Sequence, residues 1–513
     1  MENIFENPKK YLPYLWKIKI KKNCRKSFEG KSMTTVWLTK LCNAHCAHCF
    51  SKPPERYDKR KIKEYQFSEF GIRKLIRFIN DSNCSYLMIS GGGEPTLCKE
   101  SLFEIVKNAN VERIVIVTNG MWGCDYYSAK KLIDGLYKKL SERSAMCELV
   151  IRISVDKFHA KSLGTDMIPN IINVFANNYS ENQYFHLMFH TIIGDDTIEK
   201  VVAKMPNVRL DETVVYNSSD STRLNKVIPE KRVLKCCNYN IPVGYAKLFY
   251  PDFIVNINNT NIEKMIEIFD EDITYSEKGN PSLTFNDDGA VGLDFWIKYN
   301  GNVTTWGNQL SEENYNIYLD SYKKIVRRTF DNILSYSFLD KGYFYRENIV
   351  NEVNHLAVIR SKVIQLRNYS SALLLEENCT KLYYGIRVIQ DYLLEGVLKQ
   401  EDLSILPYEM REVIAQDKEA NMLLYRQADY DITNQYRQEE RRQEEWDMLF
   451  TLIKQGHYQV LPNHISEAII YYNQHFNQNI SSIMEIGAIE YDKFQERLSC
   501  VRKEVSELFD KID

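Results

Sequence analysis

The chain lacks the features of a membrane protein or an exported protein. It has no run of about 18 uninterrupted apolar residues, which argues against a transmembrane helix. Its first residues also lack the basic and then apolar order of a secretory signal. We therefore expect a cytoplasmic protein with no membrane partner.

The chain also has little excess charge of either sign. Its formal net charge is −3 at pH 7, with 44% hydrophobic and 26% charged residues. This balance is that of an ordinary globular protein and does not mark a nucleic-acid-binding surface or a disordered tail. We therefore expect no nucleic-acid partner. The length of 513 residues separately predicts about two to four domains.

Cysteine is too sparse for a disulfide framework, with 12 residues in the whole chain. Without an export signal, we expect a reducing compartment and thiols that are free or bound to metal. Three of the cysteines, Cys42, Cys46 and Cys49, are separated by four and three positions. They follow an apolar, β-branched run at residues 33–38 that predicts a strand. The three thiols therefore lie on a loop at a strand end, where α/β folds place their chemistry.

Two kinds of metal site fit this cysteine spacing. Three thiolates can hold three irons of a cubic iron–sulfur cluster and leave the fourth iron open for another ligand. A zinc site would use the same cysteines with His45 or His48 as the fourth ligand. Three buried thiols without any metal are the third interpretation. The spacing alone leaves all three open.

Residues 33–216 alternate between strand-like and helix-like segments. The predicted strands are Met33–Lys40, Ser85–Ser90, Arg113–Thr118, Leu149–Val155, Tyr184–Thr191 and Glu212–Tyr216. The predicted helices are Ser68–Ile79, Leu102–Lys107, Tyr127–Leu140, Met167–Ala176 and Ile198–Lys204. Such alternation predicts an α/β fold with a parallel sheet and crossover helices. Six strands in about 180 residues fit an open, partial barrel whose strand-end loops meet on one face.

The rest of the chain predicts three further regions. Residues 1–32 form an N-terminal extension that we expect to pack on the outside of the barrel. Residues 217–310 are rich in Pro, Gly and Asn and predict a small β-rich appendage, with a hairpin that turns at Asn300-Gly301. Residues 311–513 predict an all-α region, with helices at 318–330, 346–365, 383–398, 436–454 and 491–508.

The second predicted strand runs directly into Ser90-Gly91-Gly92-Gly93-Glu94-Pro95. Successive glycines let the backbone approach a ligand closely and adopt positive φ. The Glu94 carboxylate suits an ammonium or another donor group on a ligand. A phosphate loop would need a cation at this place, and the glycine spacing of a dinucleotide fingerprint is not met.

Polar side chains also end the third and fourth predicted strands. Thr118 and Asn119 follow the third strand, and the fourth delivers Ser154 and Asp156 on one side by its two-residue period. A hydroxyl and a carboxylate held in this way can bind a ribose or an amino-acid head group. Each residue alone could serve a turn, but together they place ligand-competent groups at consecutive strand ends.

The cysteine motif followed by Gly-Gly-Gly-Glu-Pro, Thr-Asn-Gly and Ser-Val-Asp resembles the radical S-adenosylmethionine (radical SAM) superfamily over residues 33–216. The resemblance implies a partial (β/α)6 TIM-like barrel. It also implies that the three cysteines ligate a [4Fe-4S] cluster, on whose open iron SAM binds. By position, the resemblance implies SAM contacts from Gly92, Gly93, Glu94, Pro95, Thr118, Asn119, Ser154 and Asp156. His48 occupies the position before the last cysteine, which is often aromatic in the family and lies near the adenine.

The resemblance further implies a chemistry and its partners. The reduced cluster, supplied by a donor such as flavodoxin or ferredoxin, cleaves SAM to a 5′-deoxyadenosyl radical that abstracts hydrogen from the substrate. Peptide-modifying members carry an appendage whose hairpin glycine is followed five residues later by a cysteine. Here Gly301 is followed by Trp306 at that position, and Cys236-Cys237 is too small a set for an auxiliary cluster.

The substrate is left open by the sequence. A peptide or protein is the first expectation, because of the hairpin in the appendage. A small molecule or a nucleic acid is the alternative, and a third possibility is a cluster-bearing sensor or scaffold that works through its helical region. His159, three residues after Asp156, is either a proton relay or an ordinary surface or core histidine.

Overall fold

The computed structural model describes residues 3–21, 30–46, 55–56, 60, 62–192, 195–213, 231–246, 283–285, 291–305, 314–353, 374 and 378–428. Several predicted features lie outside these residues: His48, Cys49, Trp306, the helices at 436–454 and 491–508, and most of the helix at 346–365.

Most of the described strands belong to one large sheet. Their bounds are β1 Ser32–Val36, β2 Leu41–Cys42, β3 Glu55–Arg56, β4 Cys84–Ile89, β5 Arg113–Thr118, β6 Glu148–Ser154, β7 Phe185–Ile192, β8 Val208–Thr213, β9 Lys231–Cys236, β10 Tyr239–Ala246, β11 Leu283–Phe285, β12 Val291–Leu293, β13 Phe295–Ile297, β14 Asn302–Thr304 and β15 Tyr315–Asn316. The large sheet has eleven strands in the order β15-β14-β13-β1-β4-β5-β6-β7-β10-β9-β8. From β13 through β10 the neighbouring strands are parallel, and both outer margins are antiparallel.

The helices divide between the sheet and the second half of the chain. Their bounds are α1 Pro8–Leu15, α2 Ile62–Tyr65, α3 Glu69–Asp81, α4 Lys99–Asn108, α5 Tyr126–Ser141, α6 Lys157–Leu163, α7 Met167–Asn178, α8 Thr197–Val202, α9 Tyr322–Asp331, α10 Ile333–Val353, α11 Asn378–Leu394, α12 Tyr408–Ala415 and α13 Lys418–Ala428. Caps fix several starts: the Ser68 hydroxyl accepts a bond from the Gly71 amide before α3, and Asp125 accepts one from Ser128 before α5. In the described residues no helix is both long enough and apolar enough to cross a membrane.

One face of the sheet packs on helices. Leu87, Ile114 and Ile151, from β4, β5 and β6, are fully buried in one core with side chains of α3, α4, α5 and α7. Side chains alternate along a strand, so the neighbouring positions, among them Met88 and Arg152, face the other way. We call this second side the open face; most of its side chains on β4, β6 and β7 are partly exposed.

The predicted alternation of strands and helices is confirmed, and the sheet is mostly parallel. One strand differs from the prediction. The segment expected to form a sixth parallel strand at Glu212–Tyr216 is described only through Thr213, where it ends β8, an antiparallel strand at the sheet margin. The sixth place, parallel to β7, is taken by β10, which the sequence prediction assigned to the appendage.

Strands from residues 217–310 extend the sheet on both sides. β10 lies beside β7 and β9 follows it in the sheet, while β13 pairs in parallel with β1 at the opposite side. The hairpin predicted at Asn300-Gly301 is confirmed, because β13 and β14 pair antiparallel around it. Gly301 has a φ of +82°, a conformation that favours glycine, and its amide donates to the Lys298 carbonyl at 2.7 Å.

The N-terminal extension packs on the helical region instead of on the α/β region that was expected to hold it. Tyr11, Leu12 and Leu15 of α1 are buried in a second core with α10, α11, α12 and α13. The Ile20 amide donates to the Asp331 carbonyl at 3.0 Å, which ties the two chain segments together. The expected place of this extension is therefore wrong, because its apolar side chains meet the buried faces of later helices.

Candidate cofactor site

We call the segment after β1 that carries the three cysteines the cysteine loop. Residues 37–46 of it are described, and they follow the carboxyl end of β1. The Thr39 hydroxyl donates to the Tyr65 carbonyl at 2.9 Å and accepts the Leu41 amide at 3.0 Å, which turns the backbone toward Cys42. Cys42 and Cys46 are partly exposed, and neither forms a disulfide among the described residues. The amide of Ala44 donates to Cys42 Sγ at 3.4 Å. Cys42 thus ends the two-residue strand β2, and both cysteines follow the carboxyl end of β1, as predicted.

The segment of residues 90–95 after β4, which we call the glycine loop, packs directly against the cysteine loop. The Glu94 amide donates to the Leu41 carbonyl at 2.9 Å. A Cβ atom on Gly93 would lie 2.1 Å from that same carbonyl oxygen, and one on Gly92 would lie 2.7 Å from the Thr39 oxygen. Gly92 also has a φ of +72°. Glycine is needed here because any side chain would push the two loops apart.

The Glu94 carboxylate joins the ends of β4 and β5 and is only 3% exposed. Its Oε1 accepts from the Thr96 amide at 3.0 Å and from the hydroxyls of Thr96 and Thr118 at 2.6 Å each. Its Oε2 accepts from the Asn119 amide at 2.8 Å. Burial raises the pKa of Glu94, and these hydrogen bonds oppose the rise without cancelling it. Both oxygens are therefore engaged by protein donors, and Pro95 begins a short 3₁₀ turn after them.

The loop after β5 reaches the cysteine loop through Asn119. Its side-chain nitrogen Nδ2 donates to Asn43 Oδ1 at 2.8 Å and lies 4.0 Å from Cys42 Sγ. The hydroxyl of Thr118 also accepts from the Gly120 amide and from Trp122 Nε1. Thr118 therefore shapes the loop, whereas Asn119 touches the residues around the thiol.

The end of β6 is tied to the cysteine loop through α6. Asp156 caps this helix, since its Oδ1 accepts from the amides of Phe158 and His159 at 2.9 and 3.0 Å. Its Oδ2 lies 2.6 Å from His159 Nδ1. Burial alone lowers the pKa of His159, but hydrogen bonds to Asp156 and Cys46 outweigh it and raise the pKa to about 10. His159 is thus a link between Asp156 and a cysteine.

A second contact from α6 supports this link. The Ser162 hydroxyl accepts a bond from the His45 amide at 2.8 Å. His159 and Ser162 are three residues apart, so they lie on one side of the helix. Beside them, Ser154 lines a small cleft together with Asn119, Asp156 and Gly164.

The structure brings together the predicted residues of four strand ends, from β1, β4, β5 and β6. Within the described residues, no group of three or more His, Cys, Asp or Glu side chains is arranged to hold a metal ion. His48 and Cys49 lie outside those residues, so the predicted ligand set of Cys42, Cys46 and Cys49 remains a prediction.

The sequence interpretation missed two participants: Asn43, which bonds to Asn119, and Ser162, which bonds to the His45 amide. It singled out His159 but not its contact with Cys46. The spacing of Asp156, His159 and Ser162 at intervals of three residues was a usable signal for one helix side. Asn43 had no such signal, because its partner comes from another loop.

No protein-family model matches this chain, and no curated protein matches it.

Proposed function

We propose that this chain is a radical SAM enzyme. In this proposal, Cys42, Cys46 and Cys49 bind a [4Fe-4S] cluster, and SAM binds at its open iron. The observation that carries the proposal is the contact of the cysteine loop with three other strand-end loops: through Leu41 to Glu94, through Asn43 to Asn119, and through Cys46 to His159. Parallel strands that deliver four interacting loops to one edge suit a cofactor held above a barrel.

The donor set fits such a cluster. Thiolates that bind iron–sulfur clusters accept hydrogen bonds from nearby donors, which tune the potential. Cys42 Sγ accepts from the Ala44 amide, and Asn119 Nδ2 lies nearby. Among the described residues, Cys42, His45 and Cys46 form no metal-holding group, and the other possible zinc ligands, His48 and Cys49, lie outside those residues. His45 is also an exposed side chain.

The chain's own residues would bind and orient the cofactor. The backbone of Gly92 and Gly93 lies against the cysteine loop without side chains in the way. The Glu94 carboxylate accepts four hydrogen bonds from Thr96, Thr118 and Asn119, which joins the glycine loop to the loop after β5. Ser154, a partly exposed residue that lines the small cleft, would meet the ribose in this proposal.

When bound, the cluster and SAM supply a 5′-deoxyadenosyl radical that removes a hydrogen atom from the substrate. The protein would hold the substrate in register and exclude water. The barrel of this proposal consists of β1, β4, β5, β6, β7 and β10, which are successive parallel neighbours. We propose a peptide or protein substrate and a flavodoxin or ferredoxin as electron donor, with the hairpin of β13 and β14 as the feature in favour of a peptide. A small-molecule substrate is the alternative.

Metal analysis tests this proposal directly. After anaerobic reconstitution with iron and sulfide, the protein should contain about four irons and four sulfides per chain. Cys42→Ala should lose them, while Cys124→Ala should keep them, because Cys124 is an exposed thiol that does not belong to the proposed ligand set. Purified protein that holds one zinc and takes up no iron would overturn the proposal.

A further inference from the structure

The open face of the sheet carries an arginine near the candidate site. On β6, Ile151 and Ile153 face the helices, so Arg152 and Ser154 share the open face. Two strand residues span about 7 Å, which places Arg152 one pleat below Ser154. Its direct neighbours across the sheet are Val117 on β5 and Met188 on β7. Arg152 therefore lies inside the region that a substrate would occupy below the cofactor.

The guanidinium of Arg152 lacks a counter-ion among the described residues. Its Nε is inaccessible to solvent and has no hydrogen-bond partner. One terminal nitrogen lies 3.5 Å from Met88 Sδ, and a thioether is a weak acceptor. Burial lowers the pKa of Arg152, opposed by nearby Tyr86. A partly buried cation without a paired anion is costly, and an anionic group of a ligand would offset that cost.

A second arginine on the same face shows the contrast. Arg113 on β5 pairs with Glu148, with Nε 3.0 Å from Oε2, and packs over the ring of Tyr86. Its charge is therefore already balanced. Arg152 is left with one unbalanced positive charge beside an apolar wall.

We propose that Arg152 binds a carboxylate group of the substrate. That the ligand is a substrate rests on the proposed function, and the assignment deepens that function by naming the chemical class of the substrate. The planar guanidinium presents paired donors that match the two oxygens of a carboxylate. Each carboxylate group carries one negative charge, which would balance the one positive charge of Arg152. Val117, Met188 and Met88 would contact the apolar part of an amino acid or an acidic peptide side chain.

Calorimetric titration of the cluster-free full chain with glutarate tests the assignment without any cofactor. Wild-type protein should bind glutarate, and Arg152→Gln should weaken the affinity by about tenfold or more. Arg152→Lys keeps the charge but loses the planar donor pair, so it should show a smaller loss; it also serves if the glutamine variant fails to fold. Arg77→Gln is the matched control, because Arg77 is an exposed arginine on α3 paired with Asp81.

Three outcomes would overturn the assignment. The first is that wild-type protein binds no carboxylate in a series from acetate to adipate, or that Arg152→Gln binds glutarate as well as wild type does. The second is tighter binding of inorganic phosphate than of glutarate. The third is loss of SAM binding in reconstituted Arg152→Gln, which would assign the arginine to the SAM carboxylate. If the proposed function fails because no iron is bound, the glutarate titration still stands on its own.

Discussion

The amide of Glu94 donates a hydrogen bond to the carbonyl oxygen of Leu41 at 2.9 Å, directly before Cys42. The same glutamate accepts the Asn119 amide through its carboxylate at 2.8 Å. One residue therefore fixes the cysteine loop to the ends of β4 and β5. The position of Cys42 depends on this bridge, and a change in the bridge should affect cofactor loading.

Gly93→Ala should displace the cysteine loop. The new Cβ would lie 2.1 Å from the Leu41 carbonyl oxygen, so the backbone of one loop must move. We expect the reconstituted variant to bind far less iron than wild type, measured as iron and sulfide per chain. Gly396→Ala is the control, because a Cβ there meets nothing within 4 Å although its φ is +72°. Wild-type iron content in Gly93→Ala would contradict the close packing of the two loops.

Glu94→Gln should destabilise the fold. The carboxylate accepts four hydrogen bonds, and the amide nitrogen of glutamine cannot accept any of them. At least one buried donor is then left without a partner, which costs about 1–3 kcal/mol in the free energy of unfolding. Urea unfolding measures this change, and Glu100→Gln, at a side chain 78% exposed, should change stability by less than about 0.5 kcal/mol. Equal stabilities of the two variants would speak against the bridge.

The pKa of His159 predicts a pH dependence in the iron-free protein. Hydrogen bonds to Asp156 and Cys46 raise the pKa of His159 from 6.5 to about 10, so the folded state holds this proton more tightly than the unfolded state. The resulting stability is complete below pH 6.5 and is lost as the pH rises toward 10. The stability difference between wild type and His159→Gln should therefore shrink over this interval in urea unfolding. A difference that stays constant would show that His159 is not held in this way.

Much of the sheet could be predicted because its elements are local patterns. The predicted bounds of Arg113–Thr118 coincide with β5, because its β-branched run predicts a strand without any tertiary contact. β10 escaped prediction because it contains Pro242 and Gly244, which are unfavourable in strands, and pairing with β7 overrides that preference. The place of the N-terminal extension depends on helices more than 300 positions later along the chain, which no local pattern reveals.

The candidate site could be predicted from the sequence to about the same extent as the fold. The strand ends that carry Cys42, Glu94, Asn119 and Asp156 follow from the order of strands and the position of polar residues after them. The role of Glu94 does not follow, because its partners Thr118 and Asn119 come from another loop. The structure shows that this carboxylate is buried among protein donors, which the sequence pattern alone does not indicate.

The central claim is tested most directly by the product of SAM cleavage. Iron-loaded protein should be incubated with SAM and dithionite without oxygen, and 5′-deoxyadenosine should be measured by chromatography. Cys124→Ala serves again as the control for Cys42→Ala. The account predicts 5′-deoxyadenosine from wild type and Cys124→Ala and none from Cys42→Ala; no 5′-deoxyadenosine from iron-loaded wild type would contradict it.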